Sequence, residues 1–312
     1  MLNKFLTVLI ISAFFVGSPI VAMMSEDDTN LSHPHHQSRI KFAVIGDYGT
    51  KSEGTTAVSN LVKSWDPDFI LTTGDNNYGK AEDIDHNVGS IYSRYIYPYN
   101  GDYEKPSVTH SRFFPCLGNH DFQGRDATSY LNYFSLPGNG YYYDFVKGGI
   151  HFFSVCSDKR CPDGIAPDSK QMLWLKEKVQ DSKIPWKLIY YHHPTYSSCV
   201  RSPGGGDWPV EYLEKNNERR IDLPFSDWGV SAVLSGHLHL YERFDVKGIP
   251  YIINGLGGDE RYKFVDDHPD PESIVRFSDE DGAMLIEASD TELAFRFVTT
   301  SGKIIDEVLL KK

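Results

Sequence analysis

Apolar runs that stop abruptly in short polar blocks recur along this chain. Residues 39–45 alternate and then run apolar up to Gly46-Asp47, and residues 69–73 run apolar up to Gly74-Asp75. Residues 113–117 lead into Gly118-Asn119-His120-Asp121, 186–191 end at His192, and 230–235 end at Gly236-His237. Each run has the length and bounding residues of a buried strand, and each presents its polar block at the strand's C-terminal end, where open α/β sheets build their sites. Residues 54–65 have helical character and Asp66-Pro67 stops them, which predicts a strand–helix–strand unit with parallel strands and a right-handed crossover.

Between these blocks, residues 79–112 are polar and tyrosine-rich, and predict a helix and loop whose aromatics (Tyr92, Tyr95, Tyr97, Tyr99, Tyr103) pack on the body. Residues 141–145 and 150–156 flank Lys147-Gly148-Gly149 as a hairpin, and 170–180 predict an amphipathic helix with Leu173, Trp174 and Val179 inward. The tail turns all-β, with strands at 249–253, 283–288, 292–298 and 303–309. Strands alternating with helices, then antiparallel strands, predict two packed mixed sheets with helices outside.

Composition narrows the possibilities. A chain of 312 residues, 40% of them apolar, can bury one large core, and no repeat divides it. Its formal charge of -12 argues against nucleic acid, whose affinity comes from Lys and Arg on phosphates. A small phosphorylated substrate stays open, because bound cations invert the local field. Residues 1–22 have the form of a signal peptide, with Lys4 before an apolar stretch and Ala22 at a cleavage point. This predicts a secreted or periplasmic protein with no stable membrane anchor after signal removal. Residues 23–38, with Ser32-His33-Pro34-His35-His36, read as a linker, and Asn30-Leu31-Ser32 fits the glycosylation pattern. The domain then spans 39–312. Of the four cysteines, Cys116 on an apolar run reads as a buried thiol, and Cys161 with Cys199 in polar loops is the favoured bridge.

The polar blocks supply a ligand set for two metal ions: Asp47, Asp75, Tyr78, Asn119, His192, His237 and His239. His237 and His239 are two apart, so in extended backbone they point to one side. A carboxylate can bridge two cations, and Asp75 at the central strand end is the natural bridge. No one of these residues is persuasive alone; their conjunction in this order is.

Asp47, Gly74-Asp75-Asn76-Asn77-Tyr78, Gly118-Asn119-His120-Asp121, His192 and Gly236-His237-Leu238-His239 resemble the ordered motifs of the calcineurin-like metallophosphoesterases. Tyr78, three residues after Asp75, makes the chain similar to a purple acid phosphatase. Leu240-Tyr241-Glu242-Arg243 is similar to the plant-type members and the overall length to the small, tartrate-resistant type. The resemblance implies a four-layer αββα sandwich of the α/β class. It also implies a first metal held by Asp47, Tyr78, His239 and bridging Asp75, and a second by Asp75, Asn119, His192 and His237. A phenolate needs a hard, highly charged ion, since free Tyr titrates near ~10. The inventory therefore suits Fe(III) beside divalent Fe, Zn or Mn.

The activity implied is hydrolysis of phosphate monoesters by a metal-bridging or metal-bound hydroxide. His120 would supply a proton or hold the phosphate, and Asp121 would orient His120. A phosphodiesterase acting on nucleotides or phospholipid head groups, and a non-catalytic binding protein that keeps the fold, are the alternatives. One departure stands out. The family places another histidine shortly after the His192 block, and 195–201 holds none; Arg201 is a candidate stand-in, and His193 is expected to point away. Pro203-Gly204-Gly205-Gly206 reads as a lip or a loop, and 157–169 lies where small members carry a loop over the site. Oligomeric state is not legible in the chain.

Overall fold

The structure, a computed structural model, describes residues 39–122, 126–198, 200–201, 207–208, 221–265 and 270–312. The signal-like stretch 1–22, the linker 23–38 with Asn30 and its histidines, Cys199, the Arg201 side chain and residues 203–206 lie outside what is described.

In chain order the elements begin with β1 (Ile40–Ile45), α1 (Glu53–Ser64), β2 (Phe69–Thr72), the single turn α2 (Ser90–Tyr92) and β3 (Phe113–Pro115). Next come α3 (Thr128–Tyr133), the hairpin β4 (Tyr143–Lys147) and β5 (Ile150–Ser154), then α4 (Lys170–Asp181) and β6 (Trp186–Tyr190). After β7 (Val200–Arg201) and β8 (Asp207–Trp208) follow β9 (Ala232–Ser235), β10 (Tyr241–Val246), β11 (Ile249–Asn254) and β12 (Lys263–Phe264). The chain ends with β13 (Ser273–Phe277), β14 (Gly282–Ala288), β15 (Glu292–Thr299) and β16 (Ile304–Lys311). The first sheet runs β16-β15-β14-β1-β2-β3, the second β13-β10-β11-β9-β6-β5-β4, and β12-β7-β8 form a small ladder. As expected, β1 and β2 are parallel, and the last three strands join the first sheet antiparallel.

Alternation along the strands builds the layers. In β1, Phe42 and Val44 enter the core between the sheets, meeting Phe152, Leu188 and Leu234 of the second sheet. Ala43 and Ile45 face the other way, onto Val58 and Val62 of α1. On the far side, Phe153, Ile189 and Val233 pack against Met172, Leu175 and Val179 of α4. Helix, sheet, sheet, helix is therefore the layer order, and each fully buried large side chain contributes about 1.5–3 kcal/mol. Ser52 caps α1 by accepting from Thr55 N at 2.9 Å, and its hydroxyl donates to Gly258 O at 2.6 Å.

Several expectations need correcting. The buried face of α4 is Met172, Leu175 and Val179, while Leu173 is 55% exposed and Trp174 rests half-buried on Tyr142. The phase is displaced because polar Gln171 takes an inward position, binding both backbone groups of Cys156 and the Gly164 carbonyl. Cys161 bonds to Cys156, not Cys199, since both lie on one short loop after β5 with Cα atoms 6.3 Å apart. Cys116 is the free, buried thiol expected. Strands β10 and β13 escaped the reading. Buried Glu242 in β10, whose carboxyl oxygens accept hydrogen bonds from Ser198 and Ser273, breaks the apolar pattern, as does Arg243 paired with Asp306.

Tyr92, Tyr95 and Tyr99 pack on the body as expected, and Tyr97 is 37% exposed. The Tyr92 hydroxyl is buried with no hydrogen-bond partner among the described residues. A buried hydroxyl without a partner costs roughly 1–3 kcal/mol, so Tyr92→Phe should leave stability unchanged or raise it by about 1 kcal/mol. A urea titration that shows a clear loss would contradict this. No helix among the described residues is long and apolar enough to cross a membrane.

Candidate metal centre

The polar blocks meet because five strands from two sheets end on the same side. β1 delivers Asp47, β2 Asp75 and Tyr78, β3 Asn119 and His120, β6 His192, and β9 His237 and His239. Backbone bonds lock the blocks together: Asp47 N donates to Gly74 O, Tyr78 N to Gly49 O, and Gly236 N to His192 O, all at 3.0–3.1 Å. Three of these residues turn left-handed at once, Asp47 (φ 55°), Asp75 (φ 51°) and His237 (φ 71°). Such conformations in non-glycine residues gather at functional sites.

The donor atoms fall into two groups with Asp75 beside them. In the first, Tyr78 Oη lies 2.9 Å from His239 Nε2 and 3.3 Å from Asp47 Oδ1. In the second, Asn119 Oδ1 lies 2.9 Å from His192 Nε2 and 3.1 Å from His237 Nδ1, which is 3.2 Å from His192 Nε2. Asp75 Oδ2 is 3.2 Å from His192 Nε2. All but Tyr78 and Asn119 are buried, and those two are half-buried at the mouth.

The outward bonds of the rings decide what this arrangement can hold. His192 Nδ1 donates to the Thr73 carbonyl at 2.8 Å, and His239 Nδ1 to the Glu260 carbonyl at 2.8 Å. A carbonyl only accepts, so in each neutral ring Nε2 carries the lone pair. That of His192 faces Asn119 Oδ1, Asp75 Oδ2 and His237 Nδ1; that of His239 faces Tyr78 Oη and Asp47 Oδ1. Ligand atoms crowded this closely need protons or metal ions between them, and ligating histidines fix their orientation by such outward bonds. The residues present fit a pair of metal ions.

With protons alone, the groups polarise against one another. Burial would depress His192, but Asp75 and Asp47 outweigh it and push the imidazole up to about 10. Burial and the neighbouring Asp75 raise Asp47 well above the usual carboxylate range, although His192 opposes this. Burial would raise Asp75 too, but His192 and His120 hold it well below. Burial, then Asp47 and Asp75, drive the Tyr78 phenol well above its ordinary value.

His120 is exposed at the mouth, its ring 4.4 Å from that of Tyr78, and its backbone N–H donates to Asp75 Oδ1 at 2.8 Å. Asp121 departs from its expected role. Its carboxylate turns inward and accepts from Gly118 N (2.8 Å), Asn76 N (3.1 Å) and Asn76 Nδ2 (2.9 Å). It ties the Asp75 block to the Asn119 block rather than steering His120. Burial and the nearby Asp75 push it up to about 7.

Other contributors went unread. Asn76 and Asn77 hold the loop that lets Asp75 and Tyr78 face the same point: Asn76 bonds Tyr48, Thr72 and Cys116 O, and Asn77 bonds Lys80 O and Asn87. Tyr262 stacks on His239 at 4.6 Å. The 157–169 segment does reach this centre, through Ser157 at 2.9 Å from His193 Nδ1 and Arg160 on the Asn119 and Phe122 carbonyls. His193, expected to point away, is buried with its ring 4.6 Å from that of His237. The chain bends at 192–193, where Ser157 Oγ accepts from His193 N–H at 2.9 Å, which an i, i+1 rule for extended strands does not foresee. The only signals for these residues were a second histidine beside His192 and paired asparagines after Asp75.

The model of the calcineurin-like phosphoesterase family matches residues 40–241. A probable purple acid phosphatase 20 from Arabidopsis thaliana is 28% identical over 262 residues, 75% of this chain and 55% of that protein. The chain thus spans about half the length of the curated relatives it matches. Purple acid phosphatase PPD1 from yellow lupin (Lupinus luteus) seeds has the same fold with a TM-score of 0.67 at 16% identity, over 89% of this chain and 55% of that one. GAP50, the anchor in the inner membrane complex of Plasmodium, shares the fold with a TM-score of 0.62 at 19% identity, over 88% of this chain and 89% of that one. With the ordered blocks in one centre and the family match across well over half its residues, the chain belongs to the calcineurin-like phosphoesterase family.

Proposed function

We propose that this chain is an exported acid phosphatase that hydrolyses small phosphate monoesters at a dinuclear Fe(III)–M(II) centre. Residues 39–312 would form the catalytic domain, behind a signal peptide at 1–22 and a linker at 23–38. Asp47, Tyr78 and His239 would hold the trivalent ion, Asn119, His192 and His237 the divalent one (Fe, Zn or Mn), and Asp75 both. When bound, such a pair supplies an activated water and Lewis-acid polarisation of the phosphoryl oxygens.

The observation that carries this reading is the crowding of ligand atoms around Nε2 of His192 and of His239, each imidazole committed to a backbone carbonyl on its outer side. Tyr78 supports the unequal charges. Buried beside two carboxylates, its phenol resists losing a proton, so only a hard ion of high charge would hold it as phenolate. The exposed imidazole of His120, beside Tyr78, would hold the substrate phosphate or give the leaving alkoxide its proton. Asp121 anchors the loop that carries it.

The test is metal-loaded protein assayed with p-nitrophenyl phosphate and its bis-ester, together with elemental analysis and a visible spectrum. The expected result is one iron and one divalent ion per chain, a tyrosinate-to-metal absorption band, and faster turnover of the monoester. Colourless, iron-free protein under oxidising conditions would overturn the reading. His120→Ala should lower turnover of alkyl phosphates by about 10²-fold or more while leaving metal content intact, the usual scale of general acid–base catalysis. Unchanged turnover would remove His120 from the scheme.

A further inference from the structure

Resting on the dinuclear reading above, we infer that His193 supplies a third imidazole to the divalent ion, joining His192 and His237. One nitrogen of each of these three residues lies within 4.8 Å of the other two. Their ring centroids are 5.0 Å (His192–His193), 5.0 Å (His192–His237) and 4.6 Å (His193–His237) apart, and all three residues are at least nine-tenths buried. Burying a polar ring is costly unless its nitrogens are used, and a shared cation uses all three.

The loop after β5 prepares His193 for that task. Ser157 Oγ accepts from the His193 backbone N–H at 2.9 Å and lies 2.9 Å from Nδ1. An Nδ1–H donating into the same oxygen would leave the lone pair on Nε2, the tautomer this ligation requires. The loop is braced on both sides. Gln171 holds Cys156, and Arg160 is fixed by both oxygens of Asp158 while its guanidinium donates to Asn119 O at 2.8 Å. The segment that orients His193 therefore also grips the block that carries Asn119. Three imidazoles bias this position toward zinc or ferrous iron and away from manganese or magnesium, which prefer oxygen.

Zinc K-edge absorption on the iron- and zinc-loaded wild-type protein tests this directly, because multiple scattering counts imidazoles. Three per zinc is expected, falling to two in His193→Gln, whose zinc affinity should drop by about tenfold or more with manganese affinity changed less. Two imidazoles on zinc in the wild type would overturn this inference and leave the dinuclear reading standing. That count needs no variant, so a His193→Gln protein that fails to fold does not affect it. Wild-type protein that takes up no second ion would overturn both.

Discussion

Asp75→Asn is expected to fold, to retain at most one metal ion per chain, and to lose at least about 10³-fold in phosphomonoester turnover, roughly 4 kcal/mol. The substitution keeps the shape of the side chain. Asparagine tolerates the left-handed backbone that Asp75 adopts at φ 51°, and its amide oxygen can still accept from His120 N. What it removes is the charge that can bind two cations at once, at a carboxylate within 4.8 Å of both Asp47 and His192. Circular dichroism and metal analysis separate the two effects. Two ions bound, with turnover within tenfold of wild type, would show that Asp75 does not bridge.

Gly118→Ala should damage the centre from behind. A Cβ at this position would meet Asp75 N at 2.2 Å and Asp75 Oδ1 at 2.1 Å, and the first of these is backbone that no rotamer change can move. The obstacle is space, since φ at Gly118 is an ordinary −102°. Relief requires the Asp75 and Asn119 blocks to part by something on the order of 1 Å, a displacement that can cost about 10²-fold in rate. Overpacking of this kind also destabilises by roughly 1–3 kcal/mol or more. Thermal melting and metal stoichiometry should both fall. A variant indistinguishable from wild type in both would mean that the two blocks do not abut.

The strands and the blocks at their ends were legible because both faces of each central strand are covered, so the sequence runs apolar until the chain leaves the core. Val44 and Ile45, or Leu71 and Thr72, have no solvent face to advertise. The four layers follow from the same fact. Legibility failed where a polar residue was buried for a partner distant in sequence. Glu242 hid β10 because its bonds come from Ser198 and Ser273, and Gln171 displaced the face of α4 because it serves Cys156. Asp121 was assigned to its neighbour His120, although the donors that fix it belong to Asn76 and Gly118. His193 was misread for a related reason, since the hydroxyl that turns it inward is 36 residues upstream. Residue type and spacing pointed to the ligand set; which second partner each ligand recruits depends on the fold.

The left-handed corners at Asp47, Asp75 and His237 bear on how the protein acquires its ions. An L-residue held there costs on the order of 1 kcal/mol or more, and three such corners surround one charge-dense hollow. Hydrogen bonds within the protein offset that cost without help from an ion: Asp47 N–H donates to Gly74 O at 3.1 Å, and His237 N–H to Asp47 Oδ2 at 2.9 Å. The hollow is then set before an ion arrives, so the rate of uptake by metal-free protein should rise in proportion to metal concentration.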